Sequence, residues 1–204
     1  MNGVERLYKD REEKGLAKLY KFNISKEEAN FCNLRVILRG ESMMRISDGT
    51  FVKLYVNGEL MMSDTDMEKR TNYDFIRNAY GDIMIAGLGI GLILDNLRDK
   101  IKSKEVKSIT IYEKYQDVID LISPKFSDLP IRFICEDILS YKPQKDEKYD
   151  TIYFDIWPTI DYERNLPQIK LLHNRWKSHK KNKDSWMNSW MKEFMQNQKR
   201  KDNN

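Results

Sequence analysis

Three glycines stand at every second position directly after a short apolar run, in the segment YGDIMIAGLGIGL at 80–92. They are Gly87, Gly89 and Gly91, in a chain that has only 9 glycines among 204 residues. Glycine permits a tight turn and lets a ligand approach the backbone closely. A strand that ends in such glycines and leads into a helix is typical of a cofactor phosphate or sugar site. The G-x-G-x-G spacing alone is weak evidence, so the interpretation depends on the other residues that accompany it.

Three carboxylates follow the glycines, each at the end of a later apolar segment. Glu113 ends SITIYEK, about 20 residues past Gly91, where an acid accepts hydrogen bonds from ribose hydroxyls. Asp137 ends IRFICEDIL and Asp155 ends the strand in YDTIYFDIWP. Any one of these acids could instead cap a helix. All three together with the glycines favour a nucleoside-binding edge of a parallel sheet.

These residues would suit two kinds of nucleoside cofactor. A nicotinamide dinucleotide would use a similar loop, although Leu92 stands where its third glycine is usual. An acid such as Asp137 after the third strand is more typical of an adenosine held by its exocyclic amine. No Walker-type lysine follows the glycines, so ATP hydrolysis is not expected.

The segments around these residues predict the elements that must position them. Alternation of strand and helix predicts a parallel α/β sheet with right-handed crossovers. The predicted strands are 82–86, 108–112, 131–135 and 149–155, and the predicted helices between them are 90–102 and 114–123. No strand is predicted after Pro158, and residues 162–182 and 184–200 are predicted to be helical. The second of these helices would bury its Trp186, Trp190 and Phe194 face in a core or a dimer contact.

The N-terminal part has a different pattern. Residues 3–30 are predicted to be helical with a break near 23–25, where Ser25 and Glu28 resemble a capping box. Alternation and the pairs Asp-Gly and Asn-Gly predict hairpins over 34–62. A further helix is predicted for MEKRTNYDFIRNAY. We therefore divide the chain into an N-terminal region of helices and hairpins (1–80), a Rossmann-like cofactor-binding core (81–160) and a helical basic tail (161–204).

Charge is distributed unevenly along the chain. The formal net charge is +4, yet from Arg164 onward there are 11 Lys or Arg and 3 Asp or Glu residues. This tail is expected to be a solvated helical face. The alternative, a nucleic-acid contact, would use Trp176 with its basic neighbours Arg175, Lys177, Lys180 and Lys181.

Composition sets further expectations. No apolar run has the roughly 20 residues of a membrane span, and the charged N-terminus has no signal region, so we expect a soluble cytoplasmic protein. Cys32 and Cys135 form no spaced motif and are expected to be buried hydrophobes. No metal site is predicted.

Several segments resemble spermidine synthases in order and spacing. They are LYVNGELMMSDTDMEKRTNYDFI, DIMIAGLGIGL, ITIYEKYQDVIDLI, ICEDILSY and YDTIYFDIWP. The similarity covers roughly residues 50–160 and extends to the spermidine-synthase-like, class I S-adenosylmethionine-dependent proteins. The tail KDSWMNSWM looks like their phage and bacterial relatives. The resemblance implies an N-terminal β-hairpin region before a Rossmann-like class I fold. Because the last strands of the usual seven-stranded sheet are not predicted here, we expect a truncated parallel sheet.

The resemblance also implies roles for individual residues. It places the methionine part of the cofactor on the glycine loop, the ribose on Glu113, adenine beside Asp137 and Ile138, and the reacting centre at Asp155. The cofactor-binding set is Gly87, Leu88, Gly89, Gly91, Glu113, Lys114, Asp137, Ile138 and Asp155. The catalytic set is Asp155 and Tyr73, and Asp66 corresponds more weakly to a contact before the first strand.

The chain also departs from the spermidine synthase pattern. Ile90 replaces the Asp of G-G-G-D-G, Met61 replaces a Gln, and the D-S-S-D-P segment loses its second acid in DIWP. Ile85 stands where many methyltransferases carry an acid. The expected function is transfer of a methyl or aminopropyl group from S-adenosylmethionine, or its decarboxylated form, to an unidentified nucleophile such as a small amine.

Two alternatives to the transferase stay open. One is a non-catalytic module that binds an adenosine cofactor, and the other is an NAD-dependent oxidoreductase. A homodimer is possible in each case.

Overall fold

A computed structural model describes residues 3–38 and 44–203 of the chain. Two sheets organise it. The first is antiparallel, with strands β1 (Arg11–Lys14), β2 (Ala17–Ile24), β3 (Gly49–Val56) and β4 (Glu59–Ser63) in sequence order. Within the described residues no helix is long and apolar enough to cross a membrane.

The helix predicted over residues 3–30 is wrong for most of that range. Strands β1 and β2 form a hairpin there, and β2 pairs along its whole length with β3. In β2, Ala17 and Leu19 are buried while Lys18 is exposed, which is the alternation of a strand with one face on the core. The high Lys and Glu content had suggested a helix, but this alternation and the pairing with β3 override propensity.

Helix α1 (Lys26–Leu38) follows β2. Its predicted capping box is confirmed, because the backbone N–H of Glu28 donates to Ser25 Oγ at 3.2 Å and that of Ser25 donates to Glu28 Oε2 at 2.7 Å. The predicted hairpin that began at Leu34 is wrong where it overlaps this helix. The rest of LRVILRG and the start of MMRISDG lie outside the described residues. The later hairpin is confirmed, with the positive-φ pair Asn57 and Gly58 between β3 and β4.

The second sheet carries the parallel strands. They are β5 (Gly81–Ala86), β6 (Val106–Glu113), β7 (Ile131–Cys135), β8 (Thr151–Phe154) and β9 (Trp186–Ser189), in the spatial order β7-β6-β5-β8-β9. The four strands predicted before Pro158 are confirmed. All pairings are parallel, so the predicted Rossmann-like α/β architecture is present, with five strands in the described residues.

Short helices surround this sheet. The segment before β5 forms α2 (Asp66–Thr71) and α3 (Tyr73–Asn78), and the helix predicted at 90–102 is split into α4 (Leu92–Asn96) and α5 (Arg98–Lys102). The others are α6 (Gln116–Ile122), α7 (Tyr162–Trp176) and α8 (Lys192–Asp202).

Strand β9 corrects the prediction of a continuous helix over 184–200. Trp186–Ser189 pairs in parallel with β8, and α8 begins only at Lys192, after Met191 at φ 54°. The open edge of β8 supplies the pairing that the segment could not form by itself. Of the predicted apolar face, Trp190 is buried, whereas Trp186 and Phe194 are half-buried.

The strand order creates a switch point. The chain runs from β5 outward to β6 and β7, and then returns to β8 and β9 on the other side of β5. In open α/β sheets a crevice forms where the order reverses, outside the carboxyl ends of the strands.

The two cysteines, expected to be buried, are exposed instead.

Candidate functional site

A cavity of about 280 Å³ lies at this switch point. Its floor consists of the residues that follow β5, β6, β7 and β8, and residues of β3, β4 and α2 close it from the side of the antiparallel sheet. Thus the N-terminal region supplies part of the wall of the site.

Two of the three glycines line the cavity. Gly87 has φ 98°, and a Cβ there would collide with the backbone carbonyl of Asp155 at the end of β8. Gly89 has φ 53°, and a Cβ there would collide with the sulfur of Met62, which also accepts a hydrogen bond from the Ile90 N–H at 3.3 Å. Because of these close approaches, a larger residue would be strained at either position.

Gly91 has a different role from the one the resemblance implies. It adopts φ 71° as the residue before α4, and a Cβ there would collide with the ring of Phe126. It is not among the residues that line the cavity. The third glycine is therefore needed for packing behind the loop.

Glu113 ends β6 and is buried at the cavity wall. One carboxylate oxygen accepts from the Leu88 N–H at 2.9 Å, and the other accepts from the Tyr115 N–H at 3.0 Å. Burial raises the pKa of Glu113, while these backbone donors oppose the shift. Each oxygen keeps a lone pair for a further donor, such as a ligand hydroxyl.

The turn after β7 holds Asp137 and Ile138 at the same cavity. One oxygen of Asp137 accepts from the Leu139 N–H at 3.0 Å, and the other lies 3.2 Å from the ammonium of Lys114. Arg175 fixes the turn from behind by donating to the carbonyls of Ile138, Leu139 and Tyr141, at 3.0, 2.8 and 2.9 Å.

Two carboxyl groups face the cavity together on its other side. Asp155 follows β8, and Glu68 comes from α2. Burial raises the pKa of Glu68 to about 8, and the neighbouring Asp155 adds to that shift. Burial likewise raises the pKa of Asp155 to about 7, although a hydrogen bond from Asn72 opposes it. Two like charges so close in a poorly solvated space cannot both ionise easily, so the pair holds a proton near neutral pH.

Asn72 fixes this pair in place. Its side-chain oxygen accepts from the Tyr153 hydroxyl at 2.9 Å, and its nitrogen donates to the backbone carbonyl of Glu68 at 3.2 Å. Within the described residues the Glu68 carboxyl has no hydrogen-bond partner. An unpartnered polar group at a cavity wall is costly unless a ligand or solvent satisfies it.

The structure therefore brings together most of the predicted site. Gly87, Leu88, Gly89, Glu113, Lys114, Asp137, Ile138 and Asp155 all line the cavity. The predicted catalytic residue Tyr73 does not, because its side chain is 59% exposed at the start of α3. Asp66 is also elsewhere, since it accepts hydrogen bonds from Ser47 at 2.6 Å.

Sequence reasoning missed Glu68, Asn72 and Met62. A glutamate within a charged helical segment is normally solvated, so Glu68 attracted no attention. Its spacing of four residues from Asn72 was the available signal, because such residues share one face of a helix. That face is the one directed to the sheet edge.

The alternative nucleic-acid contact at Trp176 would need an exposed ring, and the fold does not provide one. Trp176 is fully buried and packs against Tyr112 and His179. Arg175 is used by the turn after β7, and Lys181 pairs with Asp82 and Asp150. This segment offers no aromatic stacking surface.

Comparison with known proteins gives similar folds but no family. No protein-family model and no curated protein sequence match the chain. A solved S-adenosylmethionine-dependent methyltransferase from Clostridium acetobutylicum has 19% identity, with a TM-score of 0.40 over 56% of this chain and 44% of that one. The N-methyltransferase NodS from Bradyrhizobium japonicum has 16% identity and a TM-score of 0.40, over 53% and 61%.

A Leishmania major methyltransferase, also S-adenosylmethionine-dependent, has 14% identity and a TM-score of 0.44, over 59% of this chain and 47% of that one. The chain thus spans less than two thirds of each of these three proteins. Similarity at this level carries no conclusion about the chemistry of this chain.

Proposed function

We propose that the chain is a transferase that uses S-adenosylmethionine or its decarboxylated form. The observation that carries this proposal is the distribution of acids around the cavity. Glu113 and Asp137 stand on the side of β6 and β7, whereas the protonatable pair of Glu68 and Asp155 stands on the side of β8. One half suits a nucleoside, and the other half suits proton transfer.

The nucleoside half fits an adenosine. The two oxygens of Glu113 are fixed by backbone donors and can each accept from one ribose hydroxyl. Asp137 can accept from the exocyclic amine of adenine, and Ile138 offers an apolar contact beside it. The cavity volume is near the lower end of the roughly 300–1,000 Å³ of ligand sites, which suits one nucleoside better than a dinucleotide.

The other half fits an acceptor that must lose a proton. A bound sulfonium cofactor supplies an electrophilic carbon and a neutral thioether leaving group. Asp155 would accept the proton that the attacking nitrogen releases, because its pKa of about 7 is close to the working pH. Asn72 donates a hydrogen bond to Asp155 and so orients it. Glu68 would hold a second proton or, when it is ionised, attract a cationic acceptor. Trp157 and Pro158 line the cavity beside this pair.

The transferred group is a finer proposal. The resemblance to spermidine synthases favours aminopropyl transfer, yet Ile90 is buried where their acid stands. The nature of the product separates the two reactions. Methyl transfer leaves S-adenosylhomocysteine, whereas aminopropyl transfer from the decarboxylated cofactor leaves methylthioadenosine.

Calorimetric titration with S-adenosylhomocysteine and with methylthioadenosine tests the cofactor. We expect Glu113→Gln to weaken binding roughly 10- to 150-fold, the loss of about 1.5–3 kcal/mol for hydrogen bonds to a charged acceptor. Glu105→Gln is the matched control, because Glu105 precedes the same strand at the opposite edge of the sheet and pairs with Lys100. Equal affinity in the two variants would contradict the ribose assignment.

Turnover separates the transferase from the two alternatives. Labelled S-adenosylmethionine and its decarboxylated form, each supplied with a panel of primary and secondary amines, should give one of the two thioether products. Binding without product across the panel would favour a non-catalytic module. Tighter binding of NAD than of either thioether nucleoside would favour an oxidoreductase.

A further inference from the structure

A second concave site lies between α7 and α8, separate from the cavity at the sheet edge. It is a groove of about 560 Å³. Four cationic side chains line it: Lys170 from α7, and Lys192, Lys199 and Arg200 from α8. The other polar residues of its lining are His173 and three amides, and its apolar floor comes from α7.

No acid belongs to this lining, although α8 carries two. Glu193 accepts a hydrogen bond from the Asn188 side chain at 3.1 Å, and Asp202 interacts with the Tyr162 hydroxyl. Within residues 3–38 and 44–203, none of the four cations of the groove forms an ion pair with a carboxylate. Within that part of the chain the four cations therefore lack carboxylate partners at ion-pair distance, although the charge of Glu193 reaches His173 in the lining.

The spacing of the cations favours a polyanion over a single anion. Lys192 and Lys199 are separated by seven positions, or about 10 Å along α8 at 1.5 Å per residue. One phosphate group cannot contact both ends of such a row. The phosphates of a nucleic-acid strand repeat about every 3.4 Å along a helix axis, so several of them could lie along the groove.

An anionic membrane surface is the less suitable partner. A helix that binds a bilayer surface presents an apolar face next to its basic face. In α8 Met195 is fully buried, and Met191 before it is only 7% exposed. The apolar side of the helix is therefore used inside the protein.

We propose that the groove between α7 and α8 binds the phosphodiester backbone of a nucleic-acid strand without sequence preference. The cations contact the phosphates, and the amides add hydrogen bonds to phosphate or sugar oxygens. This inference does not depend on the proposed transferase. It differs from the alternative contact at Trp176, because its cations are Lys170, Lys192, Lys199 and Arg200 and it needs no aromatic stacking.

Fluorescence anisotropy with a labelled single-stranded oligonucleotide tests the groove. With four phosphate contacts, the slope of log affinity against log salt should be about −3. The double variant K170Q/K199Q should lower the affinity at least about tenfold at low salt and reduce the slope by about half. The matched control K18Q/K145Q removes the same charge from exposed positions elsewhere and should leave the slope unchanged.

Three results would overturn the proposal. One is the absence of oligonucleotide binding by the wild-type chain, and another is an equal loss in the control variant, which would indicate diffuse attraction. The third is that K170Q/K199Q weakens binding to phosphatidylserine vesicles but leaves the affinity for the oligonucleotide unchanged. Circular dichroism and thermal denaturation of both double variants confirm that each remains folded, since all four lysines are exposed.

Discussion

The cavity at the sheet edge and the groove between α7 and α8 both gather charges of one sign, but they do so under opposite conditions. In the cavity, Glu68 and Asp155 are poorly solvated and their pKa values rise to about 8 and 7. In the groove, Lys170, Lys199 and Arg200 are exposed to water. Burial moves the pKa values of the acids toward neutral pH, whereas the exposed cations are open to solvent and to a charged partner.

This difference separates two kinds of function. A carboxyl whose pKa is near neutral can take up and release protons, which a reaction requires. An exposed lysine is screened by salt, which suits reversible contact with a polyanion. The cavity and the groove should therefore be sensitive to different substitutions. Salt should affect binding at the groove much more than binding in the cavity.

The largest effect is expected at Asp155. Asp155→Asn keeps the shape of the side chain but removes the proton acceptor, so kcat should fall about 10²- to 10⁴-fold. The measurement is the initial rate of thioether product formation with the acceptor found in the amine panel. Affinity for S-adenosylhomocysteine should change much less than kcat. If both fell equally, Asp155 would be a cofactor-binding residue instead.

The next largest effect concerns Trp190, a residue of the cavity wall. It is 3% exposed, lines the cavity, and donates from Nε1 to Thr71 Oγ1 at 2.9 Å, directly before α8 begins. Trp190→Ala should destabilise the fold by about 3–5 kcal/mol, as large-to-small core changes do. Trp190→Phe keeps a ring and should cost less.

Chemical denaturation of both Trp190 variants gives the comparison. Under conditions where Trp190→Ala remains folded, cofactor binding should weaken while oligonucleotide binding persists. Loss of both would show that the cavity and the groove depend on one another, and an unchanged denaturation midpoint would contradict the buried position.

A smaller effect, with a definite sign, is expected for Glu68. Its pKa in the folded protein is raised above the ordinary value near 4.5, so between that value and about 8 the folded state binds more protons than the unfolded state. Stability should therefore fall as pH rises through this window. Glu68→Gln removes the titration and should stabilise the protein at pH 8 by roughly 1–3 kcal/mol, with little difference near pH 4.

Urea denaturation at a series of pH values measures this effect, with Glu105→Gln as the exposed control. Because the charge of Asp155 adds to the pKa shift of Glu68, the pair titrates in two shared steps, and removal of that charge in Asp155→Asn should lower the apparent pKa of Glu68. An identical pH dependence in wild type and Glu68→Gln would contradict the buried, protonatable pair.

The parallel sheet and the nucleoside half of the site could be predicted because their signals are local. The four early strands are short apolar runs, and Glu113, Asp137 and Asp155 stand directly at strand ends. Strand β9 could not be predicted, since Trp186–Ser189 becomes a strand only by pairing with β8. Glu68 and Met62 reach the cavity through the packing of α2 and β4 over the sheet edge, which no local pattern encodes. The groove likewise needs α7 and α8 side by side.

The smallest expected effect is the salt dependence of cofactor binding, and its smallness is informative. The carboxyl groups of the cavity are enclosed, and mobile ions screen buried groups much less than exposed ones. Between about 50 and 200 mM salt, affinity for S-adenosylhomocysteine should change less than about threefold, while affinity for the oligonucleotide should fall roughly 50-fold for a slope near −3. Both titrations use the same protein preparation and the same salt series. A steep salt dependence for the nucleoside would show that its site is open to solvent, and a flat one for the oligonucleotide would mean that phosphates do not lie along the groove.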